Sequence, residues 1–476
     1  MPIQTNTPIE DAERAASQVD LGFKTWSHLS LKTRIESIRR LRRVVSKNAR
    51  RIAEAISKEN NRPVIEALSQ EVLPVLEMAK HCEKKFPKWL ARRRLPYRRP
   101  GFWQKKNTLF HEPIGPVGIF APQNFPFSMG MMTLIYSILP GNTVFLKTSN
   151  KSRLVPPLIE EILNEAGLIA SKAAVVLPGD AKMGQWLIQN PCIKKIFFFG
   201  NRKSGEEVAD LCQKHSKPFV LEMGGGSTAF VSVDADIELA ATGLAWSSFY
   251  THGLSCIATE RIFVDERIAD KFISTFKLKV TNFQADMATT WKEGAGNSPD
   301  LSRLNGLIAD AKAQGAEVFQ AEMPLSEEKS GFFRFTVIYD ATQSMRVFNE
   351  DIFGPVVAVQ AVLDLEKAIS ESNNDFQPMG VSIWSRNSKQ AYDLAKIAQT
   401  GKVWINDSSF CLPHLPWGGW GNTGRGNLFS EFAIQEVTQL KWVSKHPGRF
   451  SRSRFWWNPY SSWKEKIMLK IAQNFF

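Results

Sequence analysis

Cys256 lies in THGLSCIATER, between small or polar residues and ahead of the β-rich run RIFV. A cysteine becomes a nucleophile only as the thiolate, and only where it faces a cleft. A single cysteine is more often a buried, inert side chain. Its companions in the chain change that reading. Glu222 stands in LEMGGGS, shortly ahead of three glycines that let backbone approach closely and turn sharply. A glutamate there could reach an acyl group held on Cys256. Asn124 stands between prolines in PQNFPF, a rigid extended turn after the buried run VGIFAP. Its side-chain amide is an oxyanion donor that brings no charge.

A second set of residues suits a dinucleotide. FFFGNRKSGEEV offers Gly200 and Gly205 after a strand and at the opening of a helix, where a pyrophosphate can approach backbone. Lys147 closes the strand FLKTSN, within reach of a ribose. The loops NEDIFGPV and PWGGWGNTGRGN are rich in glycine and aromatics. Each of these motifs alone is weak, because Gly-Pro loops are mostly plain turns.

Several elements must position these residues. Residues 8 to 90 read as helices, with Ile35, Ile38, Leu41 and Val45 recurring at spacings of three and four. From Pro113 short β-rich runs alternate with helical patterns: VGIFAP, TVFLK, AAVVLP and KIFFFG. Such alternation predicts a parallel, doubly wound sheet. A second alternating region from Ser227 to about Val403, with RIFVD, TVIYD, VVAVQAV and GVSIWS, predicts a second α/β domain.

Composition bounds the reading. A chain of 476 residues is too long for one ordinary core, and 43% hydrophobic with 22% charged residues is a soluble globular mix. The net charge of +13 favours anionic partners without choosing among them. No zinc finger, RNA-binding aromatic motif or basic helix with a zipper occurs, so nucleic acid is not expected. The cysteines at 82, 192, 212, 256 and 411 are odd in number and form no C-x-x-C, which argues against disulfides or a metal site and suits a reducing, cytoplasmic setting. The N-terminus lacks a secretory pattern. The apolar run Phe127–Leu139 is too short to span a bilayer and predicts a buried helix.

Two basic, aromatic segments stand apart. KKFPKWLARRRLPYRRPGFWQKK, from Lys84 to Lys106, reads either as a solvated strand or loop or as a contact with an anionic membrane surface. Near the C-terminus, Trp463, Ile467, Ile471 and Phe475 form a stripe at spacing four, with Lys464, Lys466 and Lys470 largely off it. Such a helix can lie in a membrane interface, or pack on the protein's own surface or on a partner subunit.

Taken in order, these motifs closely resemble the aldehyde dehydrogenase superfamily, from about residue 10 to about 445. The resemblance implies that Cys256 is the catalytic cysteine, Glu222 the water-activating glutamate and Asn124 the oxyanion asparagine, paired with the backbone N–H of Cys256. It implies that Lys147 binds the adenosine ribose, that Gly200 and Gly205, with Asn201 beside them, lie at the pyrophosphate, and that Phe353 positions the nicotinamide ribose. The implied fold is α/β, with a Rossmann-type parallel-sheet cofactor domain, a second α/β catalytic domain and a small bridging β segment. The expected boundaries are 1–90 with 111–221 for the NAD(P)-binding domain and 222–406 for the catalytic domain. The bridging, oligomer-forming segment is expected at 91–110 with 427–445, and the tail at 446–476. The short N-terminus and long aromatic tail look most like the class 3 branch. That branch includes fatty aldehyde dehydrogenases held at membranes, and it implies a homodimer on the inner face of a membrane and a long-chain or otherwise apolar aldehyde.

The sequence departs from the family at several points. Gln123 replaces a tryptophan, Leu254 a glutamine, Gly226 a lysine and Asn201 a serine. Asn150 replaces the glutamate that accepts from the adenosine ribose, which removes repulsion against a 2′-phosphate. With Lys151 and Arg153 nearby, NADP is expected to serve as well as NAD. Asp351, beside Glu350, replaces the glutamate that holds the nicotinamide ribose. Two other functions remain open: an acyl-thioester reductase, disfavoured by Glu222, and an inactive scaffold, disfavoured by retention of all three catalytic residues.

Overall fold

The computed structural model describes residues 6–96, 105–289, 300–322, 332–375, 377–446 and 457–475. Residues 97–104 of the basic aromatic run, residues 447–456 and the Phe475 side chain lie outside the described residues. The chain divides into a larger unit, residues 1–89 with 113–437, and a smaller one, residues 90–112 with 438–476.

The larger unit holds two sheets. The first is built from β3 (Val117–Phe120), β4 (Val144–Ser149), β5 (Ala174–Gly179), β6 (Lys195–Phe199) and β7 (Phe219–Glu222), all parallel, with the short β15 (Gly424–Arg425) returning antiparallel on β7. Its order is β15-β7-β6-β3-β4-β5. The chain leaves β3 towards β4 and β5, then returns to β6 on the other side. Ligands bind at such a switch point, beyond the carboxyl ends of the strands.

The second sheet comprises β8 (Ser227–Val231), β9 (Thr259–Asp265), β10 (Glu317–Gln320), β11 (Thr336–Tyr339), β12 (Val356–Val362), β13 (Gly380–Trp384) and β14 (Val403–Ile405). Its order is β10-β11-β12-β9-β8-β13-β14, parallel except for β10. Buried side chains such as Phe230, Phe263, Ile338 and Ile383 fill one face, and Ala229, Ile262 and Val357 the other. A parallel sheet covered on both faces explains why its strands read as continuous apolar runs. Both predicted α/β regions are present, and the fold is of the expected α/β class.

The N-terminal helices brace the first sheet. Ser30 caps Leu31–Lys47 by accepting from the Thr33 N–H at 3.1 Å. That helix buries Ile35, Ile38, Leu41 and Val45, the positions read from the periodicity. The apolar run after Asn124 is the helix Ser128–Ile138, buried on all sides. The Glu71 carboxylate accepts from the Phe127 and Ser128 N–H groups at 2.9 and 2.8 Å, satisfying donors that the helix start leaves orphaned.

The smaller unit contains β1 (Arg93–Arg94), β2 (Lys106–Pro113) and β16 (Thr438–Lys445) in one sheet of order β1-β2-β16. Leu440, Trp442 and Val443 on β16 are exposed. The helix Ser462–Phe475 exposes Trp463, Ile467 and Leu469, while Lys464 donates to the Trp457 and Pro459 carbonyls at 3.0 and 2.9 Å. No helix among the described residues is long and apolar enough to cross a membrane.

Candidate active site

Cys256 follows three residues in succession with positive φ: Thr251 at 50°, His252 at 55° and Gly253 at 69°. Such a run is strained for side-chain-bearing residues and needs outside support. Three groups supply it. The Thr251 N–H donates to the Glu66 carboxylate at 2.9 Å. His252 Nε2 donates to the Asn61 carbonyl at 2.6 Å. The Tyr250 and Ser255 hydroxyls are hydrogen-bonded to each other. Burial pushes His252 down to about 4, so the ring stays neutral. Glycine is required at 253, where a Cβ would lie 2.2 Å from the Gly354 carbonyl oxygen.

Asn124 sits just beyond β3, and its Nδ2 donates to the Leu254 carbonyl at 2.9 Å, two residues before Cys256. Its own carbonyl accepts from Asn60 Nδ2 at 3.0 Å. An amide carries two N–H groups, so one remains for an oxyanion.

Glu222 is the last residue of β7 and is only 4% exposed. Neither carboxyl oxygen makes a well-formed hydrogen bond, although the Trp417 indole is near enough to favour the charged form. Burial raises the carboxyl to about 7 against the pull of Lys402 and Trp417. Just after Glu222 the glycine run passes the nucleophile, with a Cβ built on Gly224 lying 3.9 Å from Cys256 Cβ. Burial likewise pushes the Cys256 thiol up to about 12, opposed by Lys402 and reinforced by Glu222. Burial thus favours the neutral thiol at Cys256 and holds the Glu222 carboxyl near neutrality, values suited to general-base catalysis.

Two cavities meet at Cys256. The larger, about 640 Å³, is lined by Asn124, Lys151, Gly200, Asn201, Glu222, Asp351 and Phe353, among others. The smaller, about 220 Å³, is lined by Met132, Tyr250, Ile257, Phe410 and Leu412, with Ser69, Gln70, Glu77, Ser128, Ser255 and Ser409 among its polar groups. Phe125, Met129 and Trp417 border both.

The larger cavity lies at the switch point of the first sheet and fits a dinucleotide. Gly200 follows β6 and donates its N–H to the Glu222 carbonyl at 3.0 Å. The helix Arg202–Lys214 opens at the cleft, with Asn201 as its cap accepting from the Ser204 N–H at 2.8 Å. The remaining first-turn donors and the helix dipole suit a pyrophosphate. Glu222, whose carboxyl oxygens are buried, lines the same cavity.

Not every predicted cofactor residue lines this cavity. Gly205 instead packs its helix onto Met223, where a Cβ would meet the sulfur at 2.5 Å. Lys147 lies on β4 and donates to the Gly179 carbonyl at 2.7 Å, and burial lowers its ammonium to about 8. Asn150 is half-buried beside Lys151, and of the two Lys151 lines the cleft. The turn holding both is fixed by Glu59, whose carboxylate accepts from the Arg153 and Leu154 N–H groups at 2.8 and 2.6 Å.

Asp351 and Phe353 lie on a loop held from three sides. Glu260 accepts from the Ile352 and Phe353 N–H groups at 3.1 and 2.8 Å. Arg261 donates to the Glu350 carbonyl at 2.6 Å, and Arg303 to the carbonyls of Asp351 and Ile352. Phe353 has φ 40° and 37% of its surface exposed, a strained backbone that presents its ring to the cleft. Burial raises the Asp351 carboxyl, opposed by Arg261, Arg303 and Arg202.

Sequence reasoning missed Glu260, Arg261 and Lys402. The available signals were a charged pair leading into the apolar run IFV of strand TERIFVD and a lysine leading into the apolar run VWI. Among the described residues no cluster of three potential ligands could hold a metal. All five cysteines are unpaired.

Comparison with known proteins identifies the family. The family model described as "Aldehyde dehydrogenase family" matches residues 4–443. The chain is 32% identical to a benzaldehyde dehydrogenase [NAD(+)] of Pseudomonas putida, covering 71% of this chain and 70% of that protein. It is 27% identical to a peroxisomal aminoaldehyde dehydrogenase of Pisum sativum, covering 94% and 90%. Among solved structures, the salicylaldehyde dehydrogenase of Pseudomonas putida G7 superposes with a TM-score of 0.86 at 26% identity, covering 96% of this chain and 93% of that one. The chain belongs to the aldehyde dehydrogenase family.

Proposed function

We propose that this protein oxidises a compact, apolar aldehyde to its carboxylic acid with NAD(P)+. Cys256 attacks the aldehyde carbon after its thiol proton passes to Glu222. The free N–H of Asn124 and the backbone N–H of Cys256 stabilise the oxyanion. The bound dinucleotide supplies the hydride acceptor. Collapse of the thiohemiacetal leaves a thioester on Cys256. The thiol proton then leaves Glu222 for solvent, and the regenerated carboxylate takes a proton from water, which attacks the thioester carbon, releasing the carboxylic acid and freeing Cys256. The observation that carries this reading is the buried, unpartnered carboxyl of Glu222, raised to about 7, in the cavity that also reaches Cys256. A base placed to activate water favours hydrolysis over acyl transfer to a second thiol, which weighs against an acyl-thioester reductase.

The smaller cavity supports a compact substrate. Its volume of about 220 Å³ and its Met, Phe, Leu and Trp lining suit a single ring or a short branched chain. Relatives named for benzaldehyde and salicylaldehyde fit the same chemistry. Lys151 on the cofactor cleft supports use of NADP as well as NAD. The test is formation of reduced dinucleotide across aldehydes graded from aromatic to long-chain, in wild type and Cys256→Ala. Turnover highest with single-ring aldehydes and absent in the variant is expected, and turnover that rises with chain length would refute the compact substrate.

A second reading concerns location. The exposed Trp463, Ile467 and Leu469 of the C-terminal helix, among lysines, support attachment to an anionic membrane surface. Deleting residues 455–476 should release the protein from anionic vesicles. The exposed apolar side chains of β16 support homodimer formation.

A further inference from the structure

Lys402 precedes β14 and is 9% exposed. Its ammonium donates to the Gly418 carbonyl at 2.7 Å and the Met379 carbonyl at 3.4 Å, and lies 4.4 Å from the centre of the Trp417 ring. Two carbonyls and a π face provide for the three hydrogens of a protonated amine. All three partners are neutral, so none of them balances the charge. A buried cation is costly unless a nearby anion compensates it.

Trp417, on which the ammonium sits, lines the cavity shared by Glu222 and Cys256. The titratable groups that favour the charged form of Lys402 against its burial are Glu222 on β7, Cys256, and Cys411 on the loop after β14. Tyr250 acts on Cys256, and Glu77 on Cys411. The chemistry proposed above moves one proton between Cys256 and Glu222. Thiol with carboxylate carries one negative charge, and so does thiolate with carboxylic acid. One fixed cation neutralises the pair wherever that proton sits.

Resting on that reaction, we propose that Lys402 is a positioning residue of the active site. Its ammonium, anchored by Gly418, Met379 and Trp417, is the fixed counter-charge for the single negative charge that Cys256 and Glu222 exchange. Without it, thiolate formation and carboxylate formation both become less favourable. It leaves the residues that hold the dinucleotide untouched.

The test compares Lys402→Gln, Lys402→Met and Lys402→Arg in the full chain. Gln keeps a donor for the Gly418 carbonyl and drops the charge, Met drops both, and Arg keeps the charge. The first readout is the rate of Cys256 alkylation by iodoacetamide at neutral pH, assigned to that cysteine by peptide mass spectrometry. This readout needs no aldehyde turnover, so it can fail or succeed independently of the proposed reaction. The second is the acid limb of kcat/KM against pH.

Charge removal should slow alkylation about tenfold, as expected for a one-unit rise in thiol pKa. It should also move the acid limb up by about one unit, because Glu222 loses the cation that favours its ionised form. KM for the dinucleotide should stay within twofold. Lys402→Arg should alkylate within threefold of wild type. A purely structural lysine would lower melting temperature without moving either pH-dependent readout. Folded Gln or Met variants with wild-type alkylation and an unmoved acid limb would overturn the proposal. If neither charge-free variant folds, Lys402→Arg decides: a folded protein alkylated tenfold more slowly would also overturn it, and wild-type alkylation would uphold it.

Discussion

The Asn124 side-chain amide donates to the Leu254 carbonyl at 2.9 Å, joining the turn beyond β3 to the loop that presents Cys256. The two segments lie 130 positions apart in the chain. The bond fixes the amide's orientation before substrate arrives, leaving one N–H for the developing oxyanion. Preorganised donors of this kind lose no reorganisation energy during reaction. Asn124→Ala should lower kcat about 10²- to 10³-fold, as for other oxyanion donors. Alkylation of Cys256 should persist in the same variant, since the thiol itself is not altered. Steady-state kinetics beside alkylation rates check both halves.

The pH profile follows from Glu222. The carboxyl acts as a base, so it must be ionised, and burial holds its value at about 7. Activity should fall as pH drops through about 7, rather than near the value of an exposed glutamate. An acid limb centred well below pH 6 would place the controlling proton elsewhere.

Gly253 permits the turn that carries the nucleophile. A Cβ there would lie 2.2 Å from the Gly354 carbonyl oxygen, and φ is 69°. Gly253→Ala therefore pairs a conformational penalty of about 1–2 kcal/mol with a backbone clash. Because Gly354 adjoins Phe353, both sides of the site should shift. Lower melting temperature with a fall in kcat of at least tenfold is expected, and unchanged kinetics would show that the loop adapts freely.

Cofactor choice should depend on Lys151. Its side chain lines the cleft, and Asn150 beside it carries no negative charge. Lys151→Ala should raise KM for NADP at least fivefold while changing KM for NAD less than twofold. Equal effects on both would remove Lys151 from recognition of a 2′-phosphate.

Cys256, Glu222 and Asn124, the proposed nucleophile, base and oxyanion donor, stood out in the sequence because each sits in a local motif whose glycines or prolines dictate the turn. The alternating strands and helices were legible because parallel strands buried on both faces read as continuous apolar runs. What holds those residues was not. Glu66 reaches Thr251 across 185 positions, and Asn61 reaches His252 across 191. No local pattern marks such pairs. Lys402 was missed because a single lysine before a strand reads as a solvated edge, and only its position under Trp417 exposes its role. The packing of Gly205 was equally hidden: a Cβ there would meet the Met223 sulfur at 2.5 Å, a contact that no local pattern shows.

The most direct measurement is rapid mixing of a single-ring aldehyde and excess NAD(P)+ with wild type, Glu222→Gln and Cys256→Ala, following reduced dinucleotide. Glu222→Gln should release its first equivalent more slowly than wild type, because the thiol loses its proton acceptor, and should stop at no more than one per active site, with an acyl group on Cys256 visible by intact mass. Cys256→Ala should release none. Steady turnover by Cys256→Ala, or undiminished steady turnover by Glu222→Gln, would contradict covalent catalysis by this pair.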